Sequence, residues 1–303
     1  MAISRSQLVK ELEPGLNALF GLEYKRYENQ HAEIYTNENS DRAFEEEVML
    51  SGFANAQVKG EGSGVSFDQA QETFTARYTH ETVALAFAIT EEAIEDNLYD
   101  RLASRYTKAL ARSMSNAKQV KAVEPLIQGL PSTDNFDSGD GVSLFNTSHP
   151  TVAGTFKNTL STQADLNETS LEQSMIDIAQ MTDERGLRIA ARGVKMIIPS
   201  ELQFTAERLM KSQGRTGTAD NDINAIVSMG MIPQGYRINN YLTDTDAFYI
   251  ITDIPNGMKM FTRAPLTTAM EGDFDTGNVR YKARERYSFG VSDPRGIFGV
   301  EGA

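Results

Sequence analysis

The chemistry-bearing residues that stand out first lie near the end of the chain, in NVRYKARERYSFGVSDPRGIFG (278–299). Val279, Tyr281, Ala283, Tyr287, Phe289 and Val291 share one parity, while Arg280, Lys282, Arg284 and Arg286 share the other. Alternation of this kind is that of a β-strand with one buried face, so four cations stand in a row on the open face. Such a row could grip phosphates, hold an anionic substrate or form a protein–protein seam. Its aromatics fall on the apolar parity, which leaves no exposed stacking platform for single-stranded nucleic acid.

Other groups carry less. GEGSG, around Gly60, Gly62 and Gly64, lacks the helix start and the Gly-Lys-Ser/Thr ending of a phosphate loop. It reads as a flexible hairpin tip with Lys59 beside it. DFDTGN (273–278) opens like a calcium loop, but Gly277 falls one place early and Arg284 holds the twelfth position, where glutamate is needed. Ser148 and His149 are neighbours in NTSHP without a nucleophile elbow. Three isolated histidines (His31, His80, His149) and no cysteine leave little material for a metal site and none for a disulfide. No cofactor, metal or catalytic set is expected.

Composition sets the frame for these groups. With 303 residues, 40% hydrophobic and 23% charged, the chain can bury a sizeable core and is neither disordered nor fibrous. No run is long and apolar enough for a membrane span, and no secretory signal is expected from the first residues. The net charge of −13 is concentrated early: residues 1–100 hold 19 acids against 7 Lys/Arg. Glu45, Glu46 and Glu47, and Glu91, Glu92, Glu95, Asp96 and Asp100, account for much of it. An acidic end and a basic strand in one chain suit pairing between copies or within one copy; a solvated acidic face is the plainer alternative.

The elements that must position these residues follow. Residues 1–43 are polar with sparse anchors (Leu16, Leu19, Phe20, Tyr24, Tyr27) and read as an arm lying on something. A glycine-tipped hairpin is next, then ETFTARYTHETVALAFAIT, whose apolar parity changes from Phe74, Ala76 and Tyr78 to Val83, Leu85, Phe87 and Ile89, implying a bend at His80–Thr82. A long helix is expected from Thr90, with a winding stripe of Ile94, Leu98, Leu102, Tyr106, Leu110 and Met114. Residues 129–168 read as an irregular excursion. Thr169 with Glu172 is the expected capping box of a helix buried through Leu171, Met175 and Ile178, and Ser200 with Gln203 the cap of another. VKMIIP, GYRINNYL, DAFYIITD and MKMFTRAP read as strands, and SQGRTGTADND as a loop. Helices and strands mixed without βαβ repetition indicate an α+β fold.

Six segments in order, TEEAIEDNLYDRL, SLFNTSHP, TDERGLRIAARG, IIPSELQFTAERLMKS, NDINAIV and DFDTGNVRYKARERYSFGVSDPRGIFG, resemble those of tailed-phage major capsid proteins of the Hong Kong 97-like fold, in the Mu-like and related group. The resemblance covers most of 40–300. It implies an N-terminal arm (1–43), an extended loop (44–82), a peripheral domain with a spine helix (83–159), an axial domain (160–255) and a peripheral return carrying the long β-strand (256–303). It also implies a shell of homo-pentamers and homo-hexamers enclosing double-stranded DNA in a virion made in a bacterial cytoplasm, with scaffold and portal proteins as partners and no membrane. No scaffolding segment precedes the arm, so a separate scaffold or a cleaved precursor is implied. Some relatives cross-link an extended-loop lysine to a neighbour's asparagine, and Lys59 sits in a suitable place, although most relatives lack that bond. The expected assembly contacts are thus Lys59, Gly60, Gly62 and Gly64 at the tip and Arg280, Lys282, Arg284 and Arg286 on the strand. An encapsulin-like compartment shares the fold and is the alternative; an enzyme is a distant third.

Overall fold

The computed structural model describes residues 5–90, 92–93, 99–214, 222–273 and 277–303, with side chains left out for 5–12 and 99–102. Ile94, Leu98, the side chain of Leu102, Glu91, Glu95, Asp96, the side chain of Asp100, the loop core 215–221 and the centre of DFDTGN lie outside the described residues.

The expected arm is mostly a helix, α1 (Arg5–Arg26). Its Leu16 and Phe20 are buried against α2 (Tyr99–Gln128), and Phe20 stacks on Tyr24. Helix α2 continues past residue 120, to Gln128. Its buried stripe is not the four-step apolar series. Ala103, Thr107, Leu110, Ala111, Met114, Ser115, Gln119, Ala122, Val123 and Leu126 are buried, whereas Tyr106 is half exposed. Steps of three and four keep this stripe on one side of a 3.6-residue helix. Hydropathy missed it because Thr107, Ser115 and Gln119 are polar and three of the rest are alanines. Gln119 is held by backbone: its Oε1 accepts from the His31 N–H at 3.0 Å and its Nε2 donates to Glu28 O at 3.3 Å.

Strand β1 (Thr36–Asn39) runs parallel to β10 (Met258–Gly272), which pairs antiparallel with β11 (Val279–Val291), itself paired with β4 (Glu81–Ile89). Tyr281 and Ala283 of β11 and Ile89 of β4 pack on Leu16, Phe20, Leu110, Ala111 and Met114, so both helices cover one face of this sheet. β2 (Phe44–Leu50) and β3 (Glu72–Thr79) form a separate two-stranded ribbon. The parity change at His80 is therefore a change of sheet: Ala76 and Tyr78 face one core cluster and Ile89 another.

A second sheet has the order β12-β9-β7-β8, from Ile297–Val300, Phe248–Thr252, Gly193–Ile198 and Tyr236–Ile238. It is buried on both faces. Ile197, Tyr249 and Ile297 join the cluster with Leu126, Phe145 and Met260, while Met196, Ile198, Phe248, Ile250 and Phe298 join Leu171, Met175 and Ile178 of α3 (Glu168–Ala179). Because β12 pairs with β9, the end of the chain returns into the sheet that residues 193–252 build, a closure not foreseen by the sequence division at 256. The irregular stretch 129–168 contains a small hairpin of β5 (His149–Thr151) and β6 (Gly154–Phe156).

Two cap assignments are corrected. Asn167, not Thr169, caps α3; its side chain accepts from Ser170 N at 2.9 Å, and Ser170 Oγ accepts from Asn167 N at 3.0 Å. Asparagine and serine meet the same two orphan N–H groups as the expected Thr/Glu pair, two residues earlier. Ser200 caps nothing: it opens a 3-10 turn before α4 (Gln203–Lys211) and donates instead to Glu201. A short helix, α5 (Ala225–Met229), follows with Asn224 as its cap.

Candidate assembly surfaces

The face of the first sheet that the helices leave open carries the basic row. The burial of β11 alternates as expected, with Arg280, Lys282 and Arg284 exposed and Arg286 half-buried. Cross-strand neighbours share a face. Ala88, Ala86, Ala84 and Thr82 of β4 flank Arg280, Lys282, Arg284 and Arg286 on one side. Glu271, Ala269, Thr267 and Ala264 of β10 flank them on the other. Apart from Glu271 opposite Arg280, the cations therefore stand along a ridge flanked by small side chains, a surface that another backbone could lie on.

Within the chain, Arg280 pairs with Asp273 at the turn of its own hairpin, and no described N-terminal acid reaches it. Lys282, Arg284 and Arg286 form no ion pair with a described residue. Arg286 and its neighbour Arg263 each keep a guanidinium Nε out of solvent with no acceptor among the described residues. On the core parity Glu285 is buried and pairs with Lys118 at 3.3 Å; burial raises its carboxyl pKa against the pull of that lysine.

The acidic run Glu45–Glu47 is used at the root of the ribbon. Ser40 Oγ donates to Glu45 at 2.7 Å, Arg77 pairs with Glu46 at 3.7 Å, and Glu47 holds Lys259 at 2.5 Å. Lys259 also meets Glu38 at 3.1 Å. Burial works against its charge, yet the Glu47 and Glu38 carboxylates outweigh burial and raise its pKa. His80 closes the same root: Nε2 lies 2.9 Å from Ser40 Oγ and Nδ1 3.0 Å from Ser288 Oγ. Tyr78 fills the gap beside Gly290 and hydrogen-bonds Ser292 through its hydroxyl.

Beyond this root, residues 51–71 carry no strand pairing. Ser51 N donates to Gln71 O at 2.9 Å, and Ala54 N to the Asp68 carboxylate at 2.7 Å. At the tip, Ser63 N donates to Gly60 O at 3.1 Å, and Gly62 takes φ +75°, which glycine adopts without strain. Lys59, Gly60, Gly62 and Gly64 are all exposed there. No hydrogen bond or ion pair joins them to the basic row among the described residues. The loop also exposes Phe53, Val58, Val65 and Phe67, with Val58 at 99% and Phe67 at 98%.

No catalytic geometry accompanies these surfaces. His149 is fully buried, with Nδ1 2.6 Å from Asp140 Oδ2 and Nε2 2.9 Å from Asn158 Oδ1. Both ring nitrogens are committed, and Ser148 is not among their partners. Buried Arg295 hydrogen-bonds Glu184 and, at 3.2 Å, Asp293, and lies over Phe156; SDPRG is a turn, tied down by an arginine whose burial its exposed-looking sequence hid. No cluster among the described residues could hold a metal ion, and no helix among them is long and apolar enough to cross a membrane.

Comparison with known proteins fits this architecture. The chain is similar over most of its length to the virus-like particle from Pyrococcus furiosus, at 10% identity and a TM-score of 0.52, covering 94% of this chain and 98% of that one. It is similar to the capsid of the Myoviridae phage XM1, at 12% identity and 0.53, with 89% of each chain covered. The capsid of the empty GTA particle matches at 13% identity and 0.54, covering 90% of this chain and 89% of that one. No curated protein sequence matches. The mixed helix-and-sheet arrangement is thus the Hong Kong 97-like capsid fold. A family model described as phage capsid protein matches residues 72–300, and the chain belongs to that family.

Proposed function

We propose that the chain is a major capsid protein whose copies form pentamers and hexamers and close into an icosahedral phage head around double-stranded DNA. In this reading residues 1–43 are the arm, 44–82 the extended loop, 83–159 and 256–303 the peripheral domain and 160–255 the axial domain. The observation that carries it is the loop 51–71, which holds Phe53, Val58, Val65 and Phe67 in solvent without strand pairing and is tied to the body of its own chain at its base, where Arg185 meets Gln69 O and Asp68. Apolar side chains so displayed mark a surface that another protein covers. A second copy is the natural cover, because identical subunits repeat the same contact around a closed shell.

The row Arg280, Lys282, Arg284 and Arg286 is the proposed landing strip for acidic side chains of a neighbouring subunit, since among the described residues only Arg280 finds an ionic partner at home. Lys59 and the glycine tip reach across the same seam. Scaffold and portal proteins would complete assembly in the host cytoplasm. The family match favours a phage head over a protein-storing compartment, and the role calls for no catalysis.

Arg284→Glu with Arg286→Glu tests the seam. The doubly substituted chain should fold, as judged by circular dichroism and thermal melting, yet form no shells in electron micrographs under conditions where the parent does. Normal particles from that variant sink the assignment of the row. A parent protein that stays monomeric sinks the capsid reading, and particles filled with enzyme in place of DNA favour the compartment.

A further inference from the structure

Residues 101–123, RLASRYTKALARSMSNAKQVKAV, contain six Lys/Arg and no Asp or Glu, in a chain of net charge −13. The Arg101 side chain lies outside the described residues; of the other five, Lys118 is tied to Glu285 and Lys121 to Glu81. Arg105, Lys108 and Arg112 are exposed and form no ion pair with a described residue. At 100° per residue they fall within about 60° of one another and opposite Ala103, Leu110, Ala111 and Met114, which pack on the sheet. They cover roughly 10 Å of helix axis at ~1.5 Å per residue. The basic row of β11 lies on the other face of that sheet. The layer thus shows a cationic surface on each of its two sides, with Arg280 paired to Asp273 on one of them.

We propose that Arg105, Lys108 and Arg112 on α2 form a phosphate-contacting surface for double-stranded DNA, read without sequence preference. The residues between them argue for a polyanion and against a protein seam. Ala109, Ser113 and Asn116 share the solvent side and offer no apolar anchor, and the half-exposed Tyr106 ring beside them is engaged with Phe87 of β4, while seam centres use free aromatic anchors and are poor in lysine. Phosphate binding needs only long mobile cations, and residues 101–123 set no carboxylate among these three. The proposal deepens the capsid reading, on which it rests, by assigning the helix side of the layer to the packaged genome and the sheet side to neighbouring subunits.

The test uses the full-length protein, short duplex DNA of arbitrary sequence, and fluorescence anisotropy over a salt series. Arg105→Gln/Lys108→Gln/Arg112→Gln is compared with the parent and with Arg280→Gln/Lys282→Gln/Arg284→Gln. Three lost phosphate contacts should make the slope of log affinity against log salt shallower by about 3, so that between ~50 and ~200 mM salt the parent loses roughly 40-fold more affinity than the helix variant. The strand variant should bind DNA like the parent. An unchanged slope in the helix variant overturns the proposal, as does loss of DNA binding in the strand variant or absence of binding by the parent. Shells are scored separately by electron microscopy. A helix variant that binds DNA normally but no longer assembles assigns the face to a protein partner and also overturns it. Parent protein that binds DNA through these residues but forms no shells would instead sink the capsid reading alone.

Discussion

The ring of Tyr78 packs against Gly290, and a Cβ on that glycine would stand 2.6 Å from Tyr78 Cε1. Tyr78 ends the ribbon that carries the exposed loop, and Gly290 sits in the strand that carries the basic row. The missing side chain of one residue is therefore the seat of the other, and the loop's root is fixed to the sheet through it.

Gly290→Ala should displace that ring. Overpacking a filled site costs about 1–3 kcal/mol, and here the strain falls on the contact that anchors the loop. The variant should melt lower than the parent and be cut faster by protease within residues 52–70. Ser292→Ala removes only the hydrogen bond to the Tyr78 hydroxyl, and about 1 kcal/mol is expected from it. Equal melting and equal cleavage for Gly290→Ala would show that the ring is not held there.

Lys259→Met tests the second fastening. Its ammonium joins Glu38 of β1 and Glu47 of β2 to β10, so the variant leaves two carboxylates facing each other in a partly buried place. A loss of about 1–3 kcal/mol is expected, most of it from carboxylates left without a donor. Glu47→Gln should cost less, since Glu38 still meets the lysine. Urea denaturation of the three proteins gives the ranking, and equal midpoints would remove Lys259 from the root.

These fastenings show where the sequence was readable. Local periodicity placed Tyr78, Tyr281 and Tyr287 inside and Arg280, Lys282 and Arg284 outside, because a strand's two-residue repeat is written in consecutive positions. The partners of Glu45–Glu47 were not readable, since Lys259 lies 212 residues from Glu47 and nothing local marks it. The solvated-face alternative for that run fails for Glu47, which is partly buried beneath the ribbon. The buried side of α2 was hidden for a different reason: Thr107, Ser115 and Gln119 are polar by composition but solvent-excluded by position. Arg105, Lys108 and Arg112 became visible as a surface only once that buried side was known.

Ala190 takes φ +56° in the segment between α3 and β7. An L-residue with a Cβ is strained there by roughly 1–2 kcal/mol, while glycine adopts the conformation freely at an entropic cost of about 0.5–1 kcal/mol. Ala190→Gly should therefore raise stability slightly, by ~0.5–1 kcal/mol, although the same change lowers stability at most exposed sites. A lowered melting temperature would mean that the left-handed backbone is relaxed elsewhere.

His31 supplies a pH dependence. Burial, then the charge of Lys118, pushes its imidazole down to about 4, against support from Gln119. Its Nδ1 is enclosed with no hydrogen-bond partner among the described residues, so the Gln119 contact does not offset burial. The unfolded chain takes up that proton near pH 6.5 and the folded chain only near pH 4, so unfolding binds protons throughout the interval. Stability from this group is complete above pH 6.5 and is lost as pH falls towards 4, amounting to about 3 kcal/mol at 1.36 kcal/mol per unit. His31→Gln should be flatter over that interval in a pH series of denaturation midpoints, after the common fall due to carboxylates is subtracted. Because His31 N–H is held by Gln119 of α2, the acid loss should appear first as release of residues 28–35 from that helix, seen as faster amide exchange there. Identical pH profiles for parent and variant would place the acid sensitivity elsewhere.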